Sequence, residues 1–486
     1  MGPHHRVVVW FGRDHGPLPG KVVIHASSPA EFLHVAVEHV QPGLLENFEC
    51  VLAGDRARVQ ALATDLLERY KYASRLAHFD LNTLGWTYKI CALQSIQKVR
   101  QLPERIFTLD QLIDRHRDET LLIIGAGPSI GIESIDPRKI VTLATTRTAL
   151  LCLQAGWCPD YIIHIDPDPF EGLRERLLSF PQIGRARWLL PLQVHSNFLD
   201  LPGQVFWFGS RLNPVSNWIA RQLQPHLRFP LILSGGSVSC CAFTISEFLG
   251  ASPLCLIGQD LSYLGPSKYS ATQVLDRYTS VVLAEPDSLY LPAIGGGKVE
   301  TTMDYMSYAE WFVRQAQGSR RKLINCTTRG VHLPGFEHVP VQQVYERYPR
   351  PPGRARPDVQ PRPFPRPDVP AALARARAAC GDLNRRVAAG DHAAAFQRIE
   401  NMKHIDADGF ILTACAQYES KIVAYFSHLP PDHPGMKRCI DLFARALDDA
   451  VGLLDGALDG RIDVPPTTED IILERMETLK EINSLT

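Results

Sequence analysis

Between residues 121 and 325, short runs of consecutive apolar residues alternate with segments that carry helical periodicity or turn residues. Strands that are apolar on both faces and separated by helices are typical of a parallel sheet covered on both sides. The pattern therefore predicts an α/β fold with a Rossmann-like, doubly wound, mostly parallel sheet in a central domain, residues 106–348. The strand-like runs are Leu121–Ile124, Ile140–Leu143, Tyr161–Ile165, Trp188–Leu190, Val205–Phe208, Leu231–Leu233, Leu254–Ile257 and Leu323–Asn325.

The N-terminal part of the chain has a weaker version of the same pattern. Val7–Phe11 and Phe48–Ala53 are short β-rich runs, and Arg58–Tyr70 has helical periodicity. These elements predict a small N-terminal α/β domain over residues 1–105.

A segment rich in proline and arginine follows the central domain. Residues 349–370 contain 9 Pro and 5 Arg in 22 positions. Proline fixes φ and removes a backbone donor, so this composition predicts an extended linker that joins neither a sheet nor a helix.

The C-terminal residues 371–486 have the apolar spacing of helices. Ile440, Phe443, Leu447, Val451 and Leu454 fall on one helical face. Ile472, Met476 and Leu479 do the same in the last segment. The pattern predicts a C-terminal all-α domain without evident chemistry.

Composition and charge narrow the range of partners. The chain has 486 residues, and 51 Lys+Arg against 52 Asp+Glu give a net charge of −1. Nucleic-acid binders need a basic surface, so a nucleic-acid partner is not expected. No apolar run reaches the roughly 18 residues of a membrane-spanning helix. The start of the chain lacks a basic segment followed by an apolar core, so the expected location is the cytoplasm.

The 11 cysteines are odd in number and scattered, without the CxxC pairs of a zinc site. Neither a disulfide framework nor a structural zinc ion is predicted, and the adjacent Cys240 and Cys241 are expected to be buried thiols.

The sharpest local feature is a glycine-rich turn after the first central strand, LLIIGAGPSIGIESI at 121–135. A dinucleotide fingerprint is disfavoured, because the third glycine is displaced to Gly131 and the next strand ends in Thr145-Thr146 instead of an acid. A nucleophile elbow fits formally, since Gly127–Gly131 satisfies GxSxG, but no Asp-then-His pair is evident. A nucleotide-phosphate loop of another doubly wound enzyme is the preferred interpretation, and a purely structural turn stays open.

Three further strands end in residues suited to a ligand. Asp166-Pro167-Asp168 could hold Mg²⁺ or ribose hydroxyls, or form an ordinary turn. Ser234–Ser239 opens a helix with small hydroxyl residues that suit phosphate. Gly258–Leu261 ends the strand that follows. In a doubly wound sheet these carboxyl ends meet at the ligand crevice.

Taken in order, these segments resemble the motility accessory factor glycosyltransferases, which modify flagellin with sialic-acid-like sugars. The resemblance runs from about residue 100 to 348. It rests on GAGPS at 125–129, the Asp166-Pro167 strand end, GGSVS at 235–239, GQDL at 258–261, GGKVETTMDYMSYAEWF at 296–312 and INCTTRG at 324–330.

The same segments are similar to bacterial sialyltransferases that use a CMP-sugar donor. The resemblance implies that a set of loop residues binds cytidine monophosphate. The implied nucleotide-binding residues are Gly125, Gly127, Pro128, Ser129, Thr146, Asp166, Gly235, Gly236, Ser237, Ser239 and Gln259. It also implies a role for Tyr263 and Tyr269, whose spacing matches a tyrosine pair that steadies the leaving phosphate, although two loop tyrosines of a cleft wall would have the same spacing.

The general base is not apparent from the resemblance. The histidine that serves as general base in sialyltransferases corresponds to a position near Gly296-Gly297, where this chain has no histidine. Asp260, Glu300 and Asp304 are the candidates to deprotonate the acceptor, and His332 is a further one.

The resemblance implies transfer of a pseudaminic- or legionaminic-type sugar from a CMP-linked nonulosonic acid to Ser or Thr hydroxyls of flagellin, with no certain cofactor. Two alternatives remain open. One is an Mg²⁺- and ATP-dependent pyrophosphokinase similar to the 6-hydroxymethylpterin enzymes, with Asp166 and Asp168 as metal ligands. The other is a non-catalytic accessory protein that binds flagellin.

Overall fold

The fold is taken from a computed structural model of the chain. It describes residues 7–11, 22–26, 90–211, 213–224, 226–262, 289–350 and 359–395, together with 397–398, 437, 440–441, 444–445, 447–448, 451–452 and 454–456.

Fifteen strands are present in the described residues. They are β1 (Val7–Phe11), β2 (Val22–Ala26), β3 (Arg105–Thr108), β4 (Leu121–Ile124), β5 (Val141–Thr145), β6 (Tyr161–Ile163), β7 (Arg187–Pro191), β8 (Gln204–Ser210), β9 (Leu231–Ile232), β10 (Leu254–Ile257), β11 (Leu289–Pro292), β12 (Lys298–Thr301), β13 (Leu323–Asn325), β14 (Glu337–His338) and β15 (Arg362–Pro363).

The described helices are α1 (residues 90–101), α2 (Thr146–Gln154), α3 (Glu171–Leu178), α4 (Pro214–Leu223), α5 (Val238–Phe248), α6 (Met303–Gly318), α7 (Val341–Arg347) and α8 (Val369–Ala388). Short 3₁₀ turns occupy Leu109–Leu112, Ile132–Ser134, Pro181–Arg185 and Ser196–Phe198. Several α-helices begin where a polar side chain accepts from the first turn, as Asn213 does from Val215 N and Ser216 N.

One sheet of 11 strands organises the molecule, in the order β14-β13-β10-β4-β5-β6-β7-β8-β3-β15 with β9 beside β8. Its pairings are parallel except that of β3 with β15. From β4 the chain builds outward through β5 and β6 and later returns to place β10 on the other side. The predicted doubly wound, Rossmann-like α/β sheet is thereby confirmed, with a ligand crevice expected at the carboxyl end of β4.

Both faces of the sheet are covered at its centre, so the central strands contribute to two cores. In β4, Leu122 and Ile124 belong to one hydrophobic cluster, and Leu121 and Ile123 to the other. The first cluster includes apolar residues of α1–α4, α7 and α8. The second includes α5 and α6. This burial on two sides explains why the strands are continuous apolar runs.

At the N-terminus, the predicted strand Val7–Phe11 is confirmed and pairs in parallel with β2. The predicted elements Phe48–Ala53 and Arg58–Tyr70 lie outside the described residues. Helix α1 falls before residue 105, yet Leu93 and Ile96 belong to the first cluster of the central sheet. The domain limits at 105, 348 and 370 stay predictions.

The proline- and arginine-rich segment differs from its prediction, because part of it joins the sheet. Arg362 and Pro363 form β15 against β3, and Phe364 N donates to Glu104 O at 2.8 Å. Phe364 is only 5% exposed. The expectation that proline excludes this segment from sheet and helix is wrong, since an edge strand tolerates proline on its outer side and α8 accepts Pro370 in its first turn.

At the opposite end of the sheet lies another strand of two residues, β14. Its Glu337 carboxylate forms ion pairs with Lys322 and Arg347, each at 2.5 Å. Glu337 therefore lies in a cluster of charged side chains at this end of the sheet.

Described C-terminal residues confirm the predicted helical spacing. Ile440, Leu447, Val451 and Leu454 are buried in the first cluster, together with the inner face of α8. Phe443 and the segment with Ile472, Met476 and Leu479 lie outside the described residues.

Cys240 and Cys241 are buried free thiols, as predicted. In the part of the chain that the structure describes, no helix has the length and apolarity to cross a membrane.

Candidate active site

Loops from several strand ends converge on one cavity of about 390 Å³, a volume in the usual range of small-molecule sites. They follow β4, β5, β6 and β10, and the first turns of α5 and α6 complete the wall. The lining residues are Ala126, Gly127, Pro128, Thr145, Thr146, Arg147, His164, Ile165, Asp166, Phe170, Leu173, Gly236, Ser237, Val238, Ser239, Gly258, Gln259, Asp260, Leu261, Ser262, Asp304, Tyr305 and Tyr308.

The glycine-rich loop is bonded to the end of the neighbouring strand. Gly125 N donates to Ile257 O at 2.8 Å, and Gly127 N donates to Gly258 O at 2.9 Å. A Cβ on Gly127 would lie 2.6 Å from Gly258 O and would also collide with the Asp260 carboxylate. Glycine is therefore required here by the close approach of two backbones.

The start of α5 forms a second part of the wall. Gly235 and Gly236 have positive φ values of 61° and 89°, and Ser237 caps the helix by accepting from Cys240 N at 3.1 Å. Gln259 Nε2 donates to Ser239 Oγ at 2.8 Å, which joins this wall to the end of β10. Backbone N–H groups at such a helix start favour an anion.

Asp260 is the most buried carboxylate of the cavity, at 1% exposure. Its Oδ2 accepts from Ser129 N at 3.3 Å. Burial raises the pKa of Asp260 to about 6, and the hydrogen bond from Ser129 opposes the rise. The group is mostly ionised at neutral pH and can exchange a proton near it.

The β5 and β6 ends carry a second polar network. Thr146 Oγ1 donates to Ile163 O at 3.0 Å and lies 2.9 Å from His164 Nδ1. These contacts hold the His164 imidazole against the strand ends of β5 and β6. Burial lowers the pKa of His164 to about 3, so the ring is neutral.

Asp166 follows His164 in the same loop. Burial raises the pKa of Asp166 to about 6, with a further rise from the charge of Asp168 and an opposing effect from Arg147. The Arg147 guanidinium lies 5.4 Å from the ring centroid of Phe170. Phe170 in turn packs edge-on against His164, with ring centroids 5.2 Å apart.

Four buried polar atoms in or directly behind this wall have no hydrogen-bond partner among the residues that the structure describes. They are Ser129 Oγ, His164 Nε2, Asp260 Oδ1 and Ser262 Oγ. Buried polar atoms are normally paired, so a polar ligand is the natural partner for such a set.

The structure brings ten of the predicted residues to the cavity wall. They are Gly127, Pro128, Thr146, Asp166, Gly236, Ser237, Ser239, Gln259, Asp260 and Asp304. Gly125, Ser129 and Gly235 belong to the supporting loops, and Asp168 lies beside Asp166 without lining the cavity.

Two predicted bases lie elsewhere. Glu300 is exposed on β12, where it pairs with Tyr290 of β11, and exposed His332 stacks on His338 at 4.6 Å. Neither lines the cavity, because the hairpin β11–β12 and the loop after β13 direct these residues outward. Tyr263 and Tyr269 lie outside the described residues.

The lining residues that were not among the predicted site residues include Arg147, His164, Phe170, Tyr305 and Tyr308. The first two are next to predicted strand-end residues, so a wider window at each strand end would have included them. Tyr305 and Tyr308 follow Asp304 at the start of α6, within the segment 296–312 that carries the resemblance, but no role was assigned to them there.

Asp166 and Asp168 fit an Mg²⁺ ion only in part. Mg²⁺ is commonly held by one or two carboxylates together with substrate phosphates. Within the described ranges, no group of three or more His, Cys, Asp or Glu side chains could hold a metal alone.

Comparisons with known proteins agree with this architecture. A family model described as 6-hydroxymethylpterin diphosphokinase MptE-like matches residues 93–266. No curated protein matches the chain in sequence. The structure of a MAf glycosyltransferase from Magnetospirillum magneticum AMB-1 is similar, with a TM-score of 0.61 and 14% sequence identity over 94% of this chain and 73% of that chain. At this identity the likeness is one of fold, and at that level the resemblance to motility accessory factor proteins is confirmed.

Proposed function

We propose that the protein is a glycosyltransferase that moves a nonulosonic sugar, of the pseudaminic or legionaminic type, from a CMP-linked donor to Ser or Thr hydroxyls of flagellin. The observation that carries the proposal is the convergence of glycine, serine and aspartate strand ends on one cavity. The same fold as a MAf glycosyltransferase supports it.

The cavity offers separate groups for binding and for proton transfer. The start of α5 at Ser237 presents backbone N–H groups that suit the donor phosphate, and the loop at Gly127 lines the cavity with this helix start. Thr146 and Asp166 suit the hydroxyls of a ribose, because their side chains offer oxygen acceptors.

In the proposed transfer, the acceptor hydroxyl oxygen forms a bond to the anomeric carbon of the donor sugar. The bond between that carbon and the phosphate oxygen breaks, and CMP leaves with the electron pair. The hydroxyl proton passes to Asp260, whose Oδ1 has no partner among the described residues. Its pKa of about 6 leaves the carboxylate ionised and able to accept the proton at neutral pH.

Calorimetry with CMP tests the donor site, and the glycine loop offers a matched pair of variants. Gly127→Ala should weaken CMP binding at least tenfold, because the new Cβ has no room beside Asp260 and Gly258. Gly131→Ala should bind CMP like the wild type, since its Cβ would meet nothing closer than 3.4 Å. Equal CMP affinity in both variants would contradict the placement of the nucleotide.

The acceptor is tested in cells by intact-mass measurement of flagellin. Deletion of the gene should lower the flagellin mass by whole nonulosonic sugars. An unchanged mass with flagellin secretion lost would favour the non-catalytic accessory protein instead.

The family model gives specific support to a second candidate, a pyrophosphokinase acting on 6-hydroxymethylpterin. In that case Asp166 and Asp168 would hold Mg²⁺ with the ATP phosphates, and the ion would supply charge neutralisation at the transferred group. Mg²⁺-dependent formation of AMP from ATP in the presence of the pterin would favour this function over sugar transfer.

A further inference from the structure

We propose that Arg147 binds an anionic group of the donor, either the phosphate of CMP or the carboxylate of the sugar. The inference rests on the proposed function and names a specificity-determining residue of the same cavity. The two anionic groups share the chemistry that a guanidinium recognises, a pair of oxygen atoms in one plane.

The position of Arg147 is set by the end of β5. Thr145 caps α2 by accepting from Thr148 N, and Arg147 is the second residue of that helix. The adjacent Thr146 is buried and bonded to Ile163 O, which fixes the backbone next to Arg147. The residue therefore enters the cavity wall from a rigid helix start.

Phe170 supports the guanidinium from the neighbouring loop. The ring lies under Arg147 and against His164, and Phe170 has a left-handed backbone with φ 44° and ψ 43°. This conformation is rare for a bulky residue and costs on the order of 1 kcal/mol or more. It places the ring where it can orient the arginine by a cation–π contact.

The described lining residues of the cavity include more acidic than basic side chains. Asp166, Asp260 and Asp304 are acidic, and Arg147 is the one lysine or arginine among the described lining residues. His164 supplies no positive charge because its buried ring is neutral. A donor with a phosphate and a carboxylate would meet three carboxylates, so Arg147 is the side chain that can offset the repulsion.

Calorimetry with three ligands separates the two anionic groups. Cytidine has neither, CMP has the phosphate, and CMP-N-acetylneuraminate has both phosphate and carboxylate. The variants are Arg147→Gln, Arg147→Lys and, as a matched control, Arg138→Gln, whose side chain is 88% exposed and paired with Asp136.

If Arg147 holds the phosphate, Arg147→Gln should weaken the binding of CMP and of CMP-N-acetylneuraminate by about tenfold or more. The affinity for cytidine should stay within about twofold of the wild-type value. If Arg147 holds the carboxylate, only the affinity for CMP-N-acetylneuraminate should fall. Arg147→Lys should lose less affinity than Arg147→Gln, because lysine keeps the positive charge but lacks the planar guanidinium group. Arg138→Gln should match the wild type with all three ligands.

Two results would overturn the inference while the wild type still binds CMP. One is unchanged affinity of both Arg147 variants for every ligand. The other is an equal loss for cytidine and the charged ligands, which would mean a structural role beside Asp166. Wild-type protein that binds none of the three ligands would overturn the proposed function and the inference together.

Discussion

Asp260 occupies the space that a side chain on Gly127 would need, so the two residues depend on each other. The glycine lets the loop approach β10, and the aspartate then accepts from Ser129 in the same loop. The packing of this loop buries the carboxylate, which raises its pKa, while the hydrogen bond from Ser129 partly opposes the rise. The property that suits Asp260 to proton exchange is thus a product of loop packing.

The raised pKa of Asp260 predicts a pH-dependent effect of Asp260→Asn on stability. The folded pKa of about 6 lies above the usual aspartate value near 3.9, so protonation of this carboxyl stabilises the folded state at low pH. That contribution to the free energy of unfolding is lost as the pH rises from about 3.9 to about 6. Asp260→Asn should therefore stabilise the protein more at pH 8 than at pH 5, by on the order of 1 kcal/mol. Urea unfolding at both pH values measures the difference.

Asp136 provides a control of opposite sign. Its hydrogen bond to Arg138 holds the pKa of Asp136 below its usual range, so ionisation favours the folded state above that range. Asp136→Asn should lose a little stability at both pH values, since the pair is exposed. A gain for Asp260→Asn that is the same at pH 5 and pH 8 would contradict the buried, ionisable state of Asp260.

Among the elements, β15 shows how a segment with nine prolines can still be anchored. Its backbone pairs with β3 at Arg362 and Pro363, and Phe364 enters the first cluster. The prediction of a free linker considered only that each proline lacks a backbone N–H donor. It overlooked that an edge strand needs donors on one side only, and that one aromatic residue can fix the segment.

Phe364→Ala should lower the free energy of unfolding by about 3 kcal/mol, because it removes a buried ring and leaves a cavity. Chemical denaturation measures the loss. Arg362→Ala is the matched control on the same strand, since its ion pair with Asp110 is half-exposed and should contribute less than about 1 kcal/mol. Similar losses for both variants would mean that the strand pairing, and not the Phe364 side chain, holds the segment.

The central strands could be predicted from sequence because burial on both faces leaves an unmistakable apolar run. The partners of each strand could not, since β4 pairs with β5 and β10 through contacts far apart in the chain. The glycine, serine and aspartate strand ends were predictable for the same local reason. The contact between Arg147 and Phe170 was not, because it joins a helix start to a loop that follows a different strand.

At the scale of the whole molecule, helix α8 and the described C-terminal residues share one hydrophobic cluster with the central sheet. The spacing that predicted a helical C-terminal domain is confirmed for the described residues, but spacing alone could not say what that face packs against. The apolar face of α8 includes Ala372, Ala376 and Leu383, all buried.

Two alanines of α8 test whether this shared core stabilises the molecule. Ala376→Asp would bury a charge and should destabilise the protein by on the order of 3 kcal/mol. Ala374→Asp lies on the exposed face of the same helix and should change stability little. Tryptophan fluorescence during urea unfolding reports on the central sheet through Trp188 and Trp218. An unshifted transition for Ala376→Asp would show that α8 does not support this core.

Both ends of the large sheet, as described, are strands of two residues. At one end Pro363 lacks a backbone N–H, and at the other Glu337 is held between two basic side chains. A long, regular outer strand would offer a template onto which a strand of another molecule could add. By ending in proline on one side and clustered charge on the other, this sheet resists edge-to-edge polymerisation.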